Sequence, residues 1–402
     1  MSDFYQTGVV ATFHRLGRPN LDKIEEELSW YSVDRPIALL LPSLYSELGG
    51  EAMQKIIACL KDVKYIREVI VTLGPASQDE FMQAREFFSS LPQQTRIIWN
   101  SGERLAAIYE AIQRSGLPTG EEGKGRSVWM ANGYILSRQL FHSVVLHDCD
   151  IVSYNRDLLA RLCYPVTNPN LDYDFCKGYY SRVTDRLHGR VTRLLVTPLI
   201  RSLVKIIGHH PLLIFFDSFR YPLAGEFSID TDLARVNRIP GDWGLEVGVL
   251  AEVYRNTATR RVCQIDIAEN YEHKHQSLSA DEPGKGLHKM SIDICKTLFR
   301  TLASEGIVFS DGLFKTLVAT YQQTAQEMLK RFEDDAAVNG LFFDRHEESL
   351  AVDTFTNGVR KAAERIKIDP LGAPLVTSWD RVMSAIPDIL GRIGEAVEAD
   401  NR

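Results

Sequence analysis

The chain has 402 residues, enough for two domains or for one large domain with an appendage. Its net charge of -7 argues against a nucleic-acid-binding protein, so a site for a phosphorylated substrate must be a local basic patch. No run approaches the ~18 apolar residues that a membrane-spanning helix needs, and we expect no membrane partner.

The N-terminus and the cysteines bear on the cellular compartment. The chain opens without a basic segment followed by an apolar core, so we expect no signal peptide. The cysteines form no short-spaced pairs, which argues against a zinc site or a disulfide framework and favours a reducing cytoplasm. They are Cys59, Cys149, Cys163, Cys176, Cys263 and Cys295.

Short apolar runs alternate with helical patterns in the first half of the chain, as in α/β folds. This order predicts a doubly wound parallel sheet, whose ligands bind beyond the carboxyl ends of the strands. The predicted strands are 37–41, 69–73, 95–99 and 140–146, and the predicted helices are 50–61, 77–91, 103–114 and 127–140.

Two carboxylates, Asp148 and Asp150, follow the apolar run that ends at Leu146. Carboxylates at the exit of a buried strand are costly unless something pairs with them. A divalent metal that carries a nucleotide diphosphate is such a partner, because hard cations prefer carboxylate oxygens. The Asp-x-Asp spacing alone is weak evidence, since 172–174 and 230–232 share it. The preceding strand distinguishes the pair.

Gly123-Lys124-Gly125-Arg126 is predicted to form a loop before the helix that leads to this strand. Its glycines would let backbone amides approach an anion, and Lys124 would offset the charge of a diphosphate. The segment lacks the spacing of a Walker loop, and a solvated turn is the alternative.

Gly189-Arg190-Val191-Thr192 opens a predicted helix over 192–207. A helix N-terminus, an arginine fork and a threonine hydroxyl together suit a phosphate or a carboxylate. An ordinary helix start with a threonine cap is the alternative.

Three further segments combine polar residues with apolar neighbours. Tyr221–Glu226 is an apolar loop that would place backbone beside a sugar ring, or a plain turn. Trp243–Gly248 puts Glu246 in an apolar segment, where sugar hydroxyls or an arginine would satisfy it. Tyr271–Gln276 follows a predicted strand over 261–267, and a histidine there would join the acid pair on one metal, or be structural.

The chain is predicted to be mostly helical from about Lys289, after a linker over 279–285. Apolar residues recur there at helical spacing, which favours packing or dimerisation. We therefore expect one domain over 1–276 and a helical extension over 277–402, and we expect a homodimer.

Taken together and in this order, these segments resemble the glucosyl-3-phosphoglycerate synthases, over roughly residues 37–276. Gly189-Arg190-Val191-Thr192 is the most telling segment, since it looks identical to the acceptor-binding element of that family. The resemblance implies a GT-A-like nucleotide-diphospho-sugar transferase fold with a C-terminal helical extension. It also implies transfer of glucose from UDP-glucose to the 2-hydroxyl of 3-phosphoglycerate, with retention and with Mg²⁺ or Mn²⁺ as the cofactor.

The resemblance also implies roles for individual residues. Asp148 would bind the ribose, and Asp150 and His273 would coordinate the metal. Lys124 would contact the nucleotide, and Glu246 would hydrogen-bond the hydroxyls of the donor sugar. Further nucleotide-sugar contacts would come from Pro42, Ser43, Leu44, Glu47 and Cys149, with Leu223, Ala224 and Gly225 lining the sugar. The acceptor would be held by Gly189, Arg190, Val191, Thr192 and His275.

Alternatives remain open within this interpretation. The donor could be GDP-mannose or GDP-glucose, and the acceptor unphosphorylated glycerate. A nucleotidyltransferase would usually carry a glycine-rich loop after the first strand, where this chain has Pro42-Ser43-Leu44-Tyr45. A non-catalytic sugar-nucleotide-binding protein is a third possibility. The product could serve as a compatible solute or as a polysaccharide precursor.

Overall fold

The computed structural model of the chain describes residues 6, 8–17, 20–272, 278, 285–371 and 375–402. The predicted linker over 279–285 lies outside these residues, apart from Lys285.

One mixed sheet of eight strands lies at the centre of the described part of the chain. The strands are β1 (Ala11–Phe13), β2 (Ile37–Ser43), β3 (Ile66–Leu73), β4 (Gln94–Trp99), β5 (Ser143–Leu146), β6 (Phe175–Tyr180), β7 (Phe227–Asp230) and β8 (Val262–Ala268). Their order is β1-β8-β6-β7-β5-β2-β3-β4. The chain moves outward from β2 to β4 and returns to β5 on the other side of β2. The crevice between β2 and β5 is therefore a topological switch point, where α/β sheets bind ligands.

One strand departs from the predicted parallel sheet. β7 runs antiparallel to both of its neighbours, β5 and β6, whereas the other pairs are parallel. The chain enters β7 directly from the loop over 221–226, which lies at the carboxyl edge of the sheet beside Asp148. A strand that begins at that edge must run back toward the opposite edge.

The helices surround this sheet and form the C-terminal part of the described chain. They are α1 (Leu21–Tyr31), α2 (Glu51–Leu60), α3 (Gln78–Phe88), α4 (Glu103–Arg114), α5 (Lys124–Arg138), α6 (Arg156–Thr167), α7 (Thr197–Ile207), α8 (Pro211–Asp217), α9 (Thr231–Val236), α10 (Leu245–Asn256), α11 (Gly286–Ser304), α12 (Asp311–Val338), α13 (Arg345–Ile368), α14 (Trp379–Ala385) and α15 (Ile389–Asp400). A π-helical turn, Val191–Val196, precedes α7, and short 3₁₀ turns cover Tyr45–Glu47 and Thr259–Arg261. None of the described helices is long and apolar enough to cross a membrane.

Apolar residues alternate between the two faces of the sheet. Ala38 and Leu40 of β2 face one apolar cluster, whereas Ile37, Leu39 and Leu41 face the other. This alternation follows from the two-residue period of a strand, and both faces are apolar because helices cover both. The near-continuous apolar runs that predicted β2, β3 and β5 have this origin.

The C-terminal helices share the core of the sheet domain. The Trp379 ring of α14 stacks on Trp129 of α5 with centroids 4.4 Å apart, and its indole N–H donates to the Trp129 carbonyl at 3.0 Å. After α15, the Asn401 side chain bonds both backbone polar groups of Ile97 on the edge strand β4, at 3.0 and 2.8 Å. The core thus crosses the predicted boundary at 276/277, and the extension packs against the domain.

Candidate active site

The two predicted nucleotide-sugar segments meet at the carboxyl edge of the sheet. β2 and β5 are parallel neighbours, so the chain after Ser43 and the chain after Leu146 leave the sheet side by side. The buried His147 ring bonds the Asp148 carbonyl through Nδ1 at 2.9 Å, which braces the turn that carries the acid pair. Asp148 and Asp150 therefore lie at the switch point.

A lysine joins the first aspartate to a distant glutamate. The Lys124 ammonium donates to Asp148 Oδ1 at 2.6 Å and lies 3.4 Å from Glu246 Oε1. Burial disfavours the ammonium, but the carboxylates of Asp148 and Glu246 outweigh that cost and raise the pKa of Lys124. One cation thus bridges two acids in the crevice, and the structure brings these three predicted residues together.

The predicted loop at 123–126 is wrong, because α5 already begins at Lys124. The reason lies in packing. A Cβ at Gly125 would lie 2.1 Å from the Pro240 carbonyl oxygen, and one at Gly123 would lie 3.0 Å from that of Gly241. The glycines therefore let the start of α5 lie against the turn before α10, which carries Glu246 in its first turn. Their role is this close approach, and Lys124 reaches Glu246 because of it.

The loop over 221–225 lies directly against the first aspartate. A Cβ at Gly225 would be 2.6 Å from Asp148 Oδ2, so no larger residue fits without moving the carboxylate. The neighbouring Ala224 carbonyl accepts a hydrogen bond from Lys177 at 2.6 Å. Gly225 thus lies beside the acid pair as predicted, whereas the Ala224 side chain is buried and Leu223 packs against the apolar core.

Negative charge dominates this crevice. Burial, and then the charges of Asp148, Glu47 and Glu226, raise the pKa of Asp150 to about 7, and Lys124 only partly offsets them. Such a cluster is costly without a cation, and carboxylate oxygens are ligands that Mg²⁺ and Mn²⁺ prefer. The donor set at Asp150 therefore suits a divalent metal.

The predicted second metal ligand, His273, lies outside the described residues, as does His275. The preceding residues lie next to the acid pair. Val152 N donates to the Glu272 carbonyl at 2.8 Å, and Tyr271 N donates to the Ser181 carbonyl at 2.9 Å. Within the described ranges, no group of three or more His, Cys, Asp or Glu side chains forms a metal site. A ligand from the 273–275 segment remains a prediction.

Two buried charged residues of the crevice were not predicted. Glu226 is fully buried, and its carboxylate accepts from the Tyr180 hydroxyl at 2.7 Å and from the Tyr271 hydroxyl. Burial raises the pKa of Glu226, and the charge of Asp148 raises it further. Lys177 is 1% exposed inside β6. In the sequence, each of these residues is a charge within an apolar run, and a charge that is buried in this way requires a partner.

The predicted acceptor segment lies beside this network. Gly189 adopts φ +73, and a Cβ there would lie 3.3 Å from the Tyr221 hydroxyl oxygen. Arg190 donates to Glu347 and Glu348 of α13, each at 2.6 Å. Thr192 is buried, and its hydroxyl has no hydrogen-bond partner in the described part of the chain. An unsatisfied buried hydroxyl beside a guanidinium suits an anionic ligand.

Among the remaining predicted residues, some side chains lie in the apolar core and others shape the turn after β2. Cys149 and Val191 lie in the apolar core, so any ligand contact from them comes from backbone. Glu47 accepts from the Leu44 amide at 2.8 Å and from the Ser43 hydroxyl at 3.3 Å, which shapes the turn after β2. Leu44 itself is half-exposed, and Pro42 is the one partly buried residue of β2, since Ser43 after it is buried again.

The other two Asp-x-Asp segments have structural roles. Asp230 caps α9, accepting from the amide of Asp232 at 2.8 Å. Asp174 forms an ion pair with Arg261 at 2.6 Å. Their carboxylates therefore serve a helix cap and an ion pair away from the crevice.

The mixed sheet, the switch-point crevice and the acid pair beyond β5 define an α/β glycosyltransferase with a GT-A-like fold. Two crystal structures of glucosyl-3-phosphoglycerate synthase from Mycobacterium tuberculosis share the fold at 22% identity and a TM-score of 0.53. One, in complex with Mn²⁺, UDP and glucosyl-3-phosphoglycerate, covers 74% of this chain and 89% of its own. The other, in complex with Mn²⁺, UDP-glucose and phosphoglyceric acid, covers 75% and 90%.

Relatives of full length identify the family. A glucosyl-3-phosphoglycerate synthase from Persephonella marina is 46% identical over 401 residues, which are 100% of this chain and 99% of the relative. Another from Methanococcoides burtonii is 37% identical over 403 residues, covering 99% and 98%. No family model matches the chain. The chain belongs to the glucosyl-3-phosphoglycerate synthase family, which confirms the resemblance and extends it to the helical C-terminal part.

Proposed function

We propose that this protein transfers glucose from UDP-glucose to the 2-hydroxyl of 3-phosphoglycerate, with retention, giving glucosyl-3-phosphoglycerate. The observation that carries the proposal is the Asp148–Lys124–Glu246 contact against Gly225, at the switch point of the sheet. This chain is similar over its full length to two relatives that bear the name of that activity. A cation between two acids, with a tight backbone loop beside them, suits a diphosphate next to a sugar.

The acid cluster supports a divalent metal in this crevice. Asp150 and His273 would hold it, and a bound metal supplies Lewis-acid stabilisation of the charge that develops on the leaving diphosphate. The hydrogen bond from Val152 to Glu272, 2.8 Å long, supports the pairing of these two ligands, because it ties the chain before His273 to the chain after Asp150. The M. tuberculosis protein is in complex with Mn²⁺ or Mg²⁺ together with UDP.

The residues of the chain then have distinct tasks in the reaction. Lys124 balances negative charge on the leaving UDP, Asp148 holds the ribose, and Glu246 orients hydroxyls of the donor sugar. Arg190 and Thr192 hold the phosphate or the carboxylate of the acceptor. Glu246 is bonded to Lys124, which suits an orienting role better than that of a nucleophile. Attack would then come from the face of the leaving group, whose phosphate oxygen takes the proton of the acceptor hydroxyl.

A matrix of donors and acceptors tests the proposal. The purified protein is incubated with UDP-glucose, GDP-glucose or GDP-mannose and with 3-phosphoglycerate or glycerate, and products are identified by NMR. The expected product is α-glucosyl-3-phosphoglycerate from UDP-glucose. Product from GDP-mannose alone would overturn the donor assignment, and no product from any pair would point to a non-catalytic binding protein.

Glu246→Gln tests the role of the glutamate. We expect kcat to fall by about 100-fold, because hydrogen bonds that orient the sugar weaken while the shape of the side chain is kept. Wild-type kcat in this variant would exclude both a nucleophilic and an orienting role.

We place the reaction in the cytoplasm and expect a homodimer. The six cysteines are all unpaired, as in a reducing compartment. Light scattering after size exclusion measures the assembly, since a dimer has twice the 45.5 kDa mass of the chain. A single species at the monomer mass would contradict the homodimer.

A further inference from the structure

We infer that Glu348, in the C-terminal helical part, is a positioning residue for the acceptor. The inference rests on the proposed function, in which Arg190 holds an anionic group of the acceptor. Glu348 Oε1 accepts from Arg190 Nε at 2.6 Å, and Oε2 accepts from Arg193 Nη2 at 3.0 Å. The Glu348 side chain is only 5% exposed. One buried carboxylate thus holds two guanidiniums of the acceptor segment.

Arg193 transmits this contact to the turn before the segment. Its Nε donates to the His188 carbonyl at 2.8 Å, and its Nη2 also lies 3.3 Å from the Leu187 carbonyl oxygen. Its guanidinium lies over the Phe332 ring, 4.9 Å from the centroid. Glu348 and Arg193 therefore fix the turn that leads through Gly189, with φ +73, into the π-helical turn at Val191.

Arg190 keeps donors for a ligand in this arrangement. A guanidinium has five N–H groups, and the structure uses one on Nε for Glu348 and one on Nη2 for Glu347. Glu347 is 53% exposed, so solvent weakens its contact with Arg190. The buried partner therefore orients the guanidinium, while the exposed one contributes little.

The C-terminal part holds the same loop at other points. Phe342 N donates to the Asp185 carbonyl at 2.8 Å, and the Tyr321 hydroxyl donates to the Leu194 carbonyl at 2.7 Å. These bonds flank the acceptor segment on both sides. Orientation of Arg190 is thus a task of α12 and α13, beyond the packing that their apolar faces indicate.

Glu348→Gln tests the inference by separating acceptor kinetics from donor kinetics. The KM for 3-phosphoglycerate should rise by about 10- to 100-fold, because Arg190 loses the charged partner that fixes its orientation. The KM for UDP-glucose, and the slow rate of UDP release in the absence of acceptor, should stay within roughly threefold, because the side-chain hydrogen bonds of Glu348 within the described residues are with Arg190 and Arg193. Glu347→Gln should change the acceptor KM less than Glu348→Gln does.

Two further variants serve as controls. Glu364→Gln is the same change at an exposed position of α13 and should leave both KM values unchanged. The double variant Glu348→Met/Arg193→Met removes both members of the ion pair. It therefore avoids the loss of stability that would follow if the Arg193 charge were left without its partner. It should still show the raised acceptor KM. Equal rises in both KM values, or a wild-type acceptor KM in folded variants, would overturn the role of Glu348. A wild-type protein that makes no product from UDP-glucose and 3-phosphoglycerate would instead refute the proposed function.

Discussion

Charge balance governs the crevice at the scale of single residues. Four carboxylates, those of Glu47, Asp148, Asp150 and Glu226, act on one another there, and the ammonium of Lys124 offsets part of their charge. Buried ionised groups are stable only when paired, so loss of one partner costs more than the contact itself. Removal of the Lys124 ammonium should therefore lower both the catalytic rate and the free energy of unfolding strongly.

Lys124→Met should lower kcat/KM for UDP-glucose by about 100-fold or more. The variant removes the positive charge that faces the leaving diphosphate and leaves Asp148 and Glu246 without their shared cation. Steady-state kinetics at varied UDP-glucose measures this, with Lys61→Met, an exposed lysine, as the matched control. A variant with wild-type kcat/KM would remove Lys124 from the donor site.

Lys177→Met tests the cost of burying an ammonium inside β6. Burial lowers the pKa of Lys177 to about 8, whereas a free lysine has a pKa of ~10.4. Between these values the unfolded chain binds more protons than the folded one, so the contribution of Lys177 to the free energy of unfolding rises with pH and is flat below about pH 8.

Urea unfolding of the wild type and Lys177→Met at about pH 7 and about pH 10 measures this contribution. The free energy of unfolding of the wild type, relative to that of Lys177→Met, should be about 2 to 3 kcal/mol higher at the higher pH than at the lower one. Lys64→Met, at an exposed position, should show no such shift. The same difference between Lys177→Met and the wild type at both pH values would mean that Lys177 has an ordinary pKa.

Close approach determines how the elements fit together. Gly125 lets the start of α5 lie on Pro240, and Gly133 lets the middle of α5 lie on the Trp379 ring, where a Cβ would be only 2.3 Å from a ring carbon. The first contact brings Lys124 to Glu246. The second holds the C-terminal helices on the sheet domain, so the same helix connects the site and the extension.

Trp379→Ala should destabilise the protein by about 3 to 5 kcal/mol. The side chain is fully buried, stacks on Trp129 and donates one hydrogen bond, so its removal leaves a cavity and loses that bond. Chemical denaturation measures the change. Trp30→Ala is the matched control, because Trp30 is 72% exposed and its loss should cost less than about 0.5 kcal/mol. Similar losses of stability in Trp379→Ala and Trp30→Ala would contradict the buried position of Trp379.

Ligand binding should be visible in the stability of the whole molecule. A ligand that binds only the folded state raises the melting temperature by mass action. If UDP and a divalent metal share the crevice, the acid cluster around Asp150 should bind each better in the presence of the other. The rise in melting temperature with UDP and metal together should then exceed the sum of the rises with each ligand alone.

Thermal unfolding with Mg²⁺, with UDP and with both tests this coupling. The wild type should gain several degrees with both ligands, less with either alone, and lose the gain after addition of a chelator. Asp150→Asn should lose the extra gain, whereas Asp232→Asn, an exposed aspartate of another Asp-x-Asp segment, should keep it. Additive shifts in the wild type would exclude a metal bridge between Asp150 and the nucleotide.

The elements that the sequence predicted correctly are those with a regular pattern of apolar residues. The apolar runs at Ile37 and Val69 predicted β2 and β3, because strands buried on both faces have few polar residues. β6 was missed, since its sequence, Phe-Cys-Lys-Gly-Tyr-Tyr, breaks that pattern with a lysine and a glycine. β1 has only three residues, too few for a periodicity.

The order of local patterns was enough to determine the fold class and the family of this protein, since alternating strands and helices and the acid pair after a strand are properties of short segments. Only the tertiary structure decided which charges meet. Lys124 and Glu246 are 122 positions apart, and Arg190 and Glu348 are 158 apart. No local pattern specifies such pairs, because their contact depends on how α5, α10 and α13 pack and on where glycines permit that approach.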